Sequence, residues 1–96
     1  SRPRIPLPRK PEFTLGRVLA EAGRGEKPMS GGDVRAVQLR LMELGHKLEQ
    51  WGADSVYGDE TADAVQIEQR RRGLDPDRKV GRATTKALGG KWTAKA

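Results

Sequence analysis

The sequence predicts a small all-α domain: a three-helix bundle built on a pseudo-symmetric helix–loop repeat, with a short N-terminal helix beside it. Three observations carry this. Val34, Val37, Leu41, Leu44 and Leu48 fall at spacings of three and four, which is one apolar stripe of an amphipathic helix. Glycines punctuate the chain at Gly45, Gly73 and Gly89-Gly90, where a helix closes readily in the left-handed conformation. Parts of the chain also repeat. Ala36-Val37-Gln38-Leu39 matches Ala64-Val65-Gln66-Ile67 at an offset of 28, as does Gly45 with Gly73, and Tyr57-Gly58-x-x-Thr61 matches Val80-Gly81-x-x-Thr84. Neither unit can bury its stripe alone, so the units pack on each other.

Residues 1–11 hold Pro3, Pro6, Pro8 and Pro11, a density that favours an extended spacer. Residues 12–22 read as a short helix with Phe13, Val18, Leu19 and Ala22 apolar, so residues 1–28 form a Pro/Arg-rich linker that includes this helix. Ser30 or Asp33 opens the first main helix, which Gly45 ends. Asp54 to Gly58 is a tight loop, Thr61 caps a second helix running to about Arg72, and Asp75-Pro76-Asp77 is a turn. Val80-Gly81 repeats the loop, and Thr84 opens a short third helix. The domain thus spans 29–90, and residues 91–96 read as a frayed tail.

Composition excludes several classes of function. The 96 residues contain no cysteine, which removes disulfides, thiolate metal sites and a Cys nucleophile. No apolar run approaches the roughly 18 residues of a membrane span. The sequence begins at Ser1 with an Arg- and Pro-rich stretch, and is read as a piece of a longer or processed protein. The formal charge is +6, but residues 31–90 carry ten basic and ten acidic side chains. The excess sits on the flanks, so nucleic-acid binding, which needs a basic patch on the folded body, is disfavoured.

Three blocks in order, GGDVRAVQLRLMELGH (31–46), DSVYGDETADAVQIEQRRRGL (54–74) and DRKVGRATTKAL (77–88), resemble the peptidoglycan-binding domain of bacterial and phage cell-wall enzymes. Its pattern is G-x-D-V-x-x-L-Q-x-x-L-x-x-L-G-Y, then D-G-x-F-G-x-x-T-x-x-A-V-x-x-F-Q-x-x-x-G-L, then D-G-x-V-G-x-x-T-x-x-x-L. The matching positions are Asp33, Val37, Gln38, Leu41, Leu44, Gly45, Gly58, Thr61, Val65, Gln69, Gly73, Leu74, Gly81, Thr84 and Leu88. The resemblance implies a monomeric, non-catalytic module without cofactor or metal. Such a module would hold a linked peptidoglycan hydrolase, an endolysin for example, on the wall, in the periplasm or outside the cell. A phage-encoded parent would reach the wall on release from the cytoplasm. The alternative is a protein–protein interaction or structural domain of a phage or envelope complex that reuses the fold.

The departures from the pattern are specific. Both Asp-Gly turns lack glycine, reading Asp54-Ser55 and Asp77-Arg78; Glu68 replaces an aromatic, and His46 a tyrosine. Phe13, Leu15, Trp51 or Trp92 is expected to fill the space the missing aromatic leaves. Gln38 and Gln69 are expected to be buried amides bonded to loop backbone.

No catalytic set emerges. His46 lacks a second His or Cys for a metal, and the carboxylates Asp54, Asp59, Glu60 and Asp63 lack the spacing of a Ca²⁺ loop. Asp59 and Glu60 read as favourable charges at a helix N-terminus. Peptidoglycan offers sugar faces, amides and stem-peptide carboxylates, so ligand contact is sought in aromatic side chains, arginine and helix-start amides. The candidates are Arg82, Trp51, Tyr57, His46 and Thr84.

Overall fold

The computed structural model describes residues 13–93, so the Pro-rich stretch 1–11 and the end of the expected tail lie outside the described residues. Its elements are β1 (Thr14–Leu15), α1 (Gly32–Glu43), α2 (Asp59–Arg71), α3 (Arg82–Ala87) and β2 (Lys91–Trp92). The three helices form the expected small all-α body. Among the described residues no helix is long and apolar enough to cross a membrane.

All three helices close by the same backbone device. The residue after each helix cap is a left-handed glycine: Gly45 at φ 100°, Gly73 at 73° and Gly89 at 90°. In α1 the Gly45 amide donates to the Met42 carbonyl (3.0 Å) and the His46 amide to Leu41 (3.0 Å). Gly73 and Leu74 repeat this onto Arg70 (3.2 Å) and Gln69 (2.8 Å), and Gly89 and Gly90 onto Lys86 (3.0 Å) and Thr85 (2.9 Å). Paired bonds of this kind satisfy carbonyls that the helix itself leaves free.

Helix starts differ from expectation. Gly31, Gly58 and Gly81 occupy the N-cap positions, none with a side-chain bond, so Thr61 and Thr84 lie inside the first turns and cap nothing. Their hydroxyls are committed elsewhere, as described below. Asp33 also sits inside α1, where its Oδ1 accepts the Val34 amide (2.9 Å) and both oxygens meet Arg17 (2.8 and 3.0 Å).

Residues 13–22 contain no helix, which corrects the expectation for 12–22. Phe13 and Leu15 face the core with Thr14 exposed between them, the period of a strand. β1 lies parallel to β2, with Thr14 opposite Lys91 and Leu15 opposite Trp92. Lys91 donates to the Phe13 carbonyl (2.7 Å) and Thr93 to Leu15 (2.9 Å), while Leu19 and Val80 exchange two bonds (3.1 and 2.8 Å). Residues 91–93 are therefore an ordered pairing partner and not a frayed tail. A helix over 13–22 would forgo these bonds, and Gly16 lowers its propensity further.

The core joins this strap to the helices. Val34, Val37 and Leu41 of α1, and Ala62, Ala64 and Val65 of α2, are buried with Leu88, Leu48, Tyr57 and Val80. Phe13, Leu15 and Leu19 complete the same cluster, and Met29, Leu44 and Trp92 pack at its margin. Phe13 lies so close over Gly90 that a Cβ there would fall 2.5 Å from its ring.

The two departures at positions 46 and 68 meet in space. Glu68 is only 2% exposed, and its Oε1 accepts from His46 Nε2 at 2.7 Å while Arg72 and Arg71 bond the same carboxylate. Burial pushes the Glu68 carboxyl up, but the His46 and Arg72 bonds outweigh it and hold it below the usual range. A polar pair thus stands where the family pattern has two aromatic residues. The expected filling by Trp51 is corrected, since Trp51 is 64% exposed, and Phe13 packs over Gly90 instead.

Candidate ligand-binding cleft

Two buried glutamines shape the loops in front of α2 and α3. Gln38, fully buried on α1, donates through Nε2 to Asp54 Oδ1 (3.1 Å), the Val56 carbonyl (3.0 Å) and Thr61 Oγ1 (2.9 Å). Its Oε1 accepts the Ser55 amide (2.9 Å). Gln69 on α2 makes the same set with Asp77 Oδ1 (2.9 Å), the Lys79 carbonyl (2.9 Å), Thr84 Oγ1 (3.0 Å) and the Arg78 amide (3.1 Å). The structural counterpart of Gln38 is therefore Gln69, and not the Gln66 that the 28-residue offset aligns with it. The shift of three residues is close to one helical turn, which keeps the side chain on the same face.

These locks also hold the two turns that lack glycine. Ser55 and Arg78 adopt φ of 72° and 66° despite their Cβ atoms, and each gives its amide to a locking glutamine. Arg78 compensates further: its guanidinium bonds Glu21 Oε1 (3.1 Å) and Asp63 Oδ1 (2.6 Å), tying the N-terminal strap to α2. Both partners raise the Arg78 guanidinium pKa, with Glu21 the larger influence.

The loop after α1 is fixed from α2. Glu60 accepts the amides of Gln50 (2.7 Å) and Trp51 (2.9 Å) with its two carboxylate oxygens. This holds the Trp51 turn against the start of α2 and leaves the indole standing in solvent. Beside it lies a cleft of about 210 Å³ lined by Trp51, Asp54, Val56, Gly58, Glu60 and Thr61.

The structure sorts the five candidates. Trp51 lines the cleft. Arg82 is exposed on the first residue of α3 and is not among the lining residues. Tyr57 is corrected: it is 1% exposed, so its ring has no face to offer, and its hydroxyl donates to the Arg78 carbonyl at 2.7 Å. Burial, with Glu21 nearby, pushes that phenol well up, so it stays neutral. Thr84 is corrected because it is buried and spends its hydroxyl on Gln69, and His46 because it faces Glu68. Asp54, Val56 and Glu60 were missed as lining residues. The only sign of Glu60's part is its bond to amides nine and ten residues away, which no local spacing announces. Among the described residues no group of three or more His, Asp or Glu could hold a metal ion.

A family model for a peptidoglycan binding domain matches residues 30–88. The chain belongs to the peptidoglycan-binding domain family. This peptidoglycan-binding domain is 44% identical over 63 residues to a probable N-acetylmuramoyl-L-alanine amidase of Bacillus licheniformis, covering 66% of the chain and 18% of that protein. It is 43% identical over 63 residues to the N-acetylmuramoyl-L-alanine amidase CwlL of the same organism, with the same 66% and 18% coverage. The chain thus spans under a fifth of the length of these relatives. Among solved structures it resembles a peptidoglycan-binding protein from Clostridioides difficile in complex with glutamine hydroxamate. That match has a TM-score of 0.66 and 34% identity, and covers 77% of this chain and 41% of the other. Both glutamine locks and all three closing glycines fall within the matched family region or directly beside it.

Proposed function

We propose that this peptidoglycan-binding domain is a monomeric, non-catalytic module that holds a linked peptidoglycan hydrolase on the bacterial cell wall. The observation that carries this reading is the family match over residues 30–88, on a fold that leaves the Trp51 cleft open beside the locked loop. The relatives named as amidases support the linked hydrolase, because the matched region is 18% of their length. Tethering keeps the enzyme at high effective concentration on its insoluble substrate. The place of action is the wall, reached by export or, for a phage-borne enzyme, by release from the cytoplasm. The basic flanks, +4 over residues 1–30, add long-range attraction to polyanionic envelopes.

Trp51 is the leading contact residue and Arg82 the second. The reading of the fold as a protein-interaction domain drew its strength from the missing aromatic at Glu68. The His46 pairing accounts for that residue structurally and leaves the alternative without a specific observation. The test is co-sedimentation of the 96-residue chain with purified sacculi at low salt. The chain is expected in the pellet and its Trp51→Ala variant largely in the supernatant; failure of the parent chain to pellet defeats the proposal.

A further inference from the structure

Resting on that reading, we infer that the Trp51 cleft takes an N-acetylated sugar ring of the glycan strand and turns away the free carboxylates of the stem peptide. Trp51 is the most exposed large apolar residue among those described, and the Glu60 bond to its backbone amide holds its turn against the start of α2. An indole has only two side-chain torsions to order on stacking, and the C–H face of a sugar ring is what such an aromatic wall accepts. Val56 adds a second apolar side chain to the lining.

The charge in and around the cleft decides the rest. Asp54 and Glu60 line it, Asp59 precedes Glu60 on the same turn, and neither Lys nor Arg is among the lining residues. Against these three carboxylates the α2 N-terminus offers about half a positive charge, so an incoming carboxylate meets net repulsion. Glu21 beside Asp59 pushes the Asp59 carboxyl up, with Arg78 acting against it. Asp54 Oδ1 is occupied by Gln38 and by the Val56 amide, while Oδ2 has no partner among the described residues. An acetamido N–H is a donor that Oδ2 can accept, and a charged acceptor makes that bond a strong one. The expectation of a carboxylate seat at this helix start is thus reversed, because the sequence places its own anions there.

The experiment titrates the full chain with two probes: the trimer of N-acetylglucosamine and a stem tripeptide. The readout is the indole N–H and the surrounding amides by NMR. The acetylated trimer is expected to shift Trp51 and residues 54–61, and the tripeptide to leave them in place. Trp51→Ala should weaken trimer binding about tenfold or more, the share of one aromatic anchor. Asp54→Asn keeps an Oδ1 for Gln38 but replaces Oδ2 with a donor, so it should weaken the trimer while the thermal midpoint stays near that of the parent. Stronger binding of the tripeptide than of the acetylated trimer at these residues overturns the inference. If the chain pellets with sacculi but the trimer does not move Trp51, the glycan assignment falls and the anchoring role stands. If it neither pellets nor responds, both fall.

Discussion

At Ser55 and Arg78 the backbone enters the left-handed region with a side chain in place, at φ 72° and 66°. That conformation costs about 1–2 kcal/mol for a residue with a Cβ. Ser55→Gly should therefore stabilise the domain by about 1 kcal/mol in a denaturant titration. Arg78→Gly should give no such gain, because it removes the bonds to Glu21 and Asp63 along with the strain. Equal stabilisation by the two changes would show that those bonds contribute nothing. A second residue-scale expectation concerns Glu68, whose carboxyl sits below the usual range in the fold. A lowered carboxyl pKa stabilises the folded state fully above the unfolded value near about 4.3. The stability is lost as pH falls through the folded value. The thermal midpoint should thus drop more steeply below about pH 4.3 in the parent than in Glu68→Gln, and parallel acid limbs would refute the assignment. The residues behind both predictions are visible in the sequence as departures from a family pattern. Their pairing is not, since His46 and Glu68 lie 22 positions apart on different segments.

Elements were legible where their signals are local. The closing glycines Gly45, Gly73 and Gly89 act over one turn and appear in the structure as read, while the apolar stripe is helical only at Val34, Val37 and Leu41: Leu44 is the C-cap of α1 and Leu48 is buried from the loop beyond it. Starts were less legible, because Thr61 and Thr84 look like caps while their hydroxyls serve glutamines 23 and 15 residues earlier. The glycines allow a test in which the sign changes. Gly45→Ala places a Cβ at φ 100° and should cost about 1 kcal/mol. Gly32→Ala, at the first turn of α1 with open space around it, should instead stabilise by about 0.5 kcal/mol. Chemical denaturation of the two variants checks both; a matching loss at Gly32 would mean that its backbone is not helical. β1 and β2 escaped the sequence reading for a physical reason. Each is two residues long, and their hydrogen bonds depend on a partner at the other end of the chain.

For the molecule as a whole, the strap belongs to the folding unit although the family match begins at residue 30. Phe13, Leu15 and Leu19 are buried in the one core, and Arg17 and Glu21 tie the same segment to Asp33 and Arg78. Burying a leucine is worth about 1.5–3 kcal/mol, so deleting residues 1–24 should remove at least about 4 kcal/mol. In a domain this small that lowers the thermal midpoint by about 20 °C or more, measurable by circular dichroism. An unchanged midpoint would return the segment to the status of a linker. The parallel pairing of β1 with β2 also bears on how the domain folds and opens. Helices closed by their own glycines need only neighbouring residues, whereas Leu15 and Thr93 must meet across 78 positions of chain. Long-range closure comes late in folding because its entropy is lost before its bonds are gained. Interactions absent from the transition state act mainly on the rate of unfolding. Breaking the two-residue clasp is therefore expected to act as releasing a kinetic latch, raising the unfolding rate in stopped-flow denaturation more than it slows refolding.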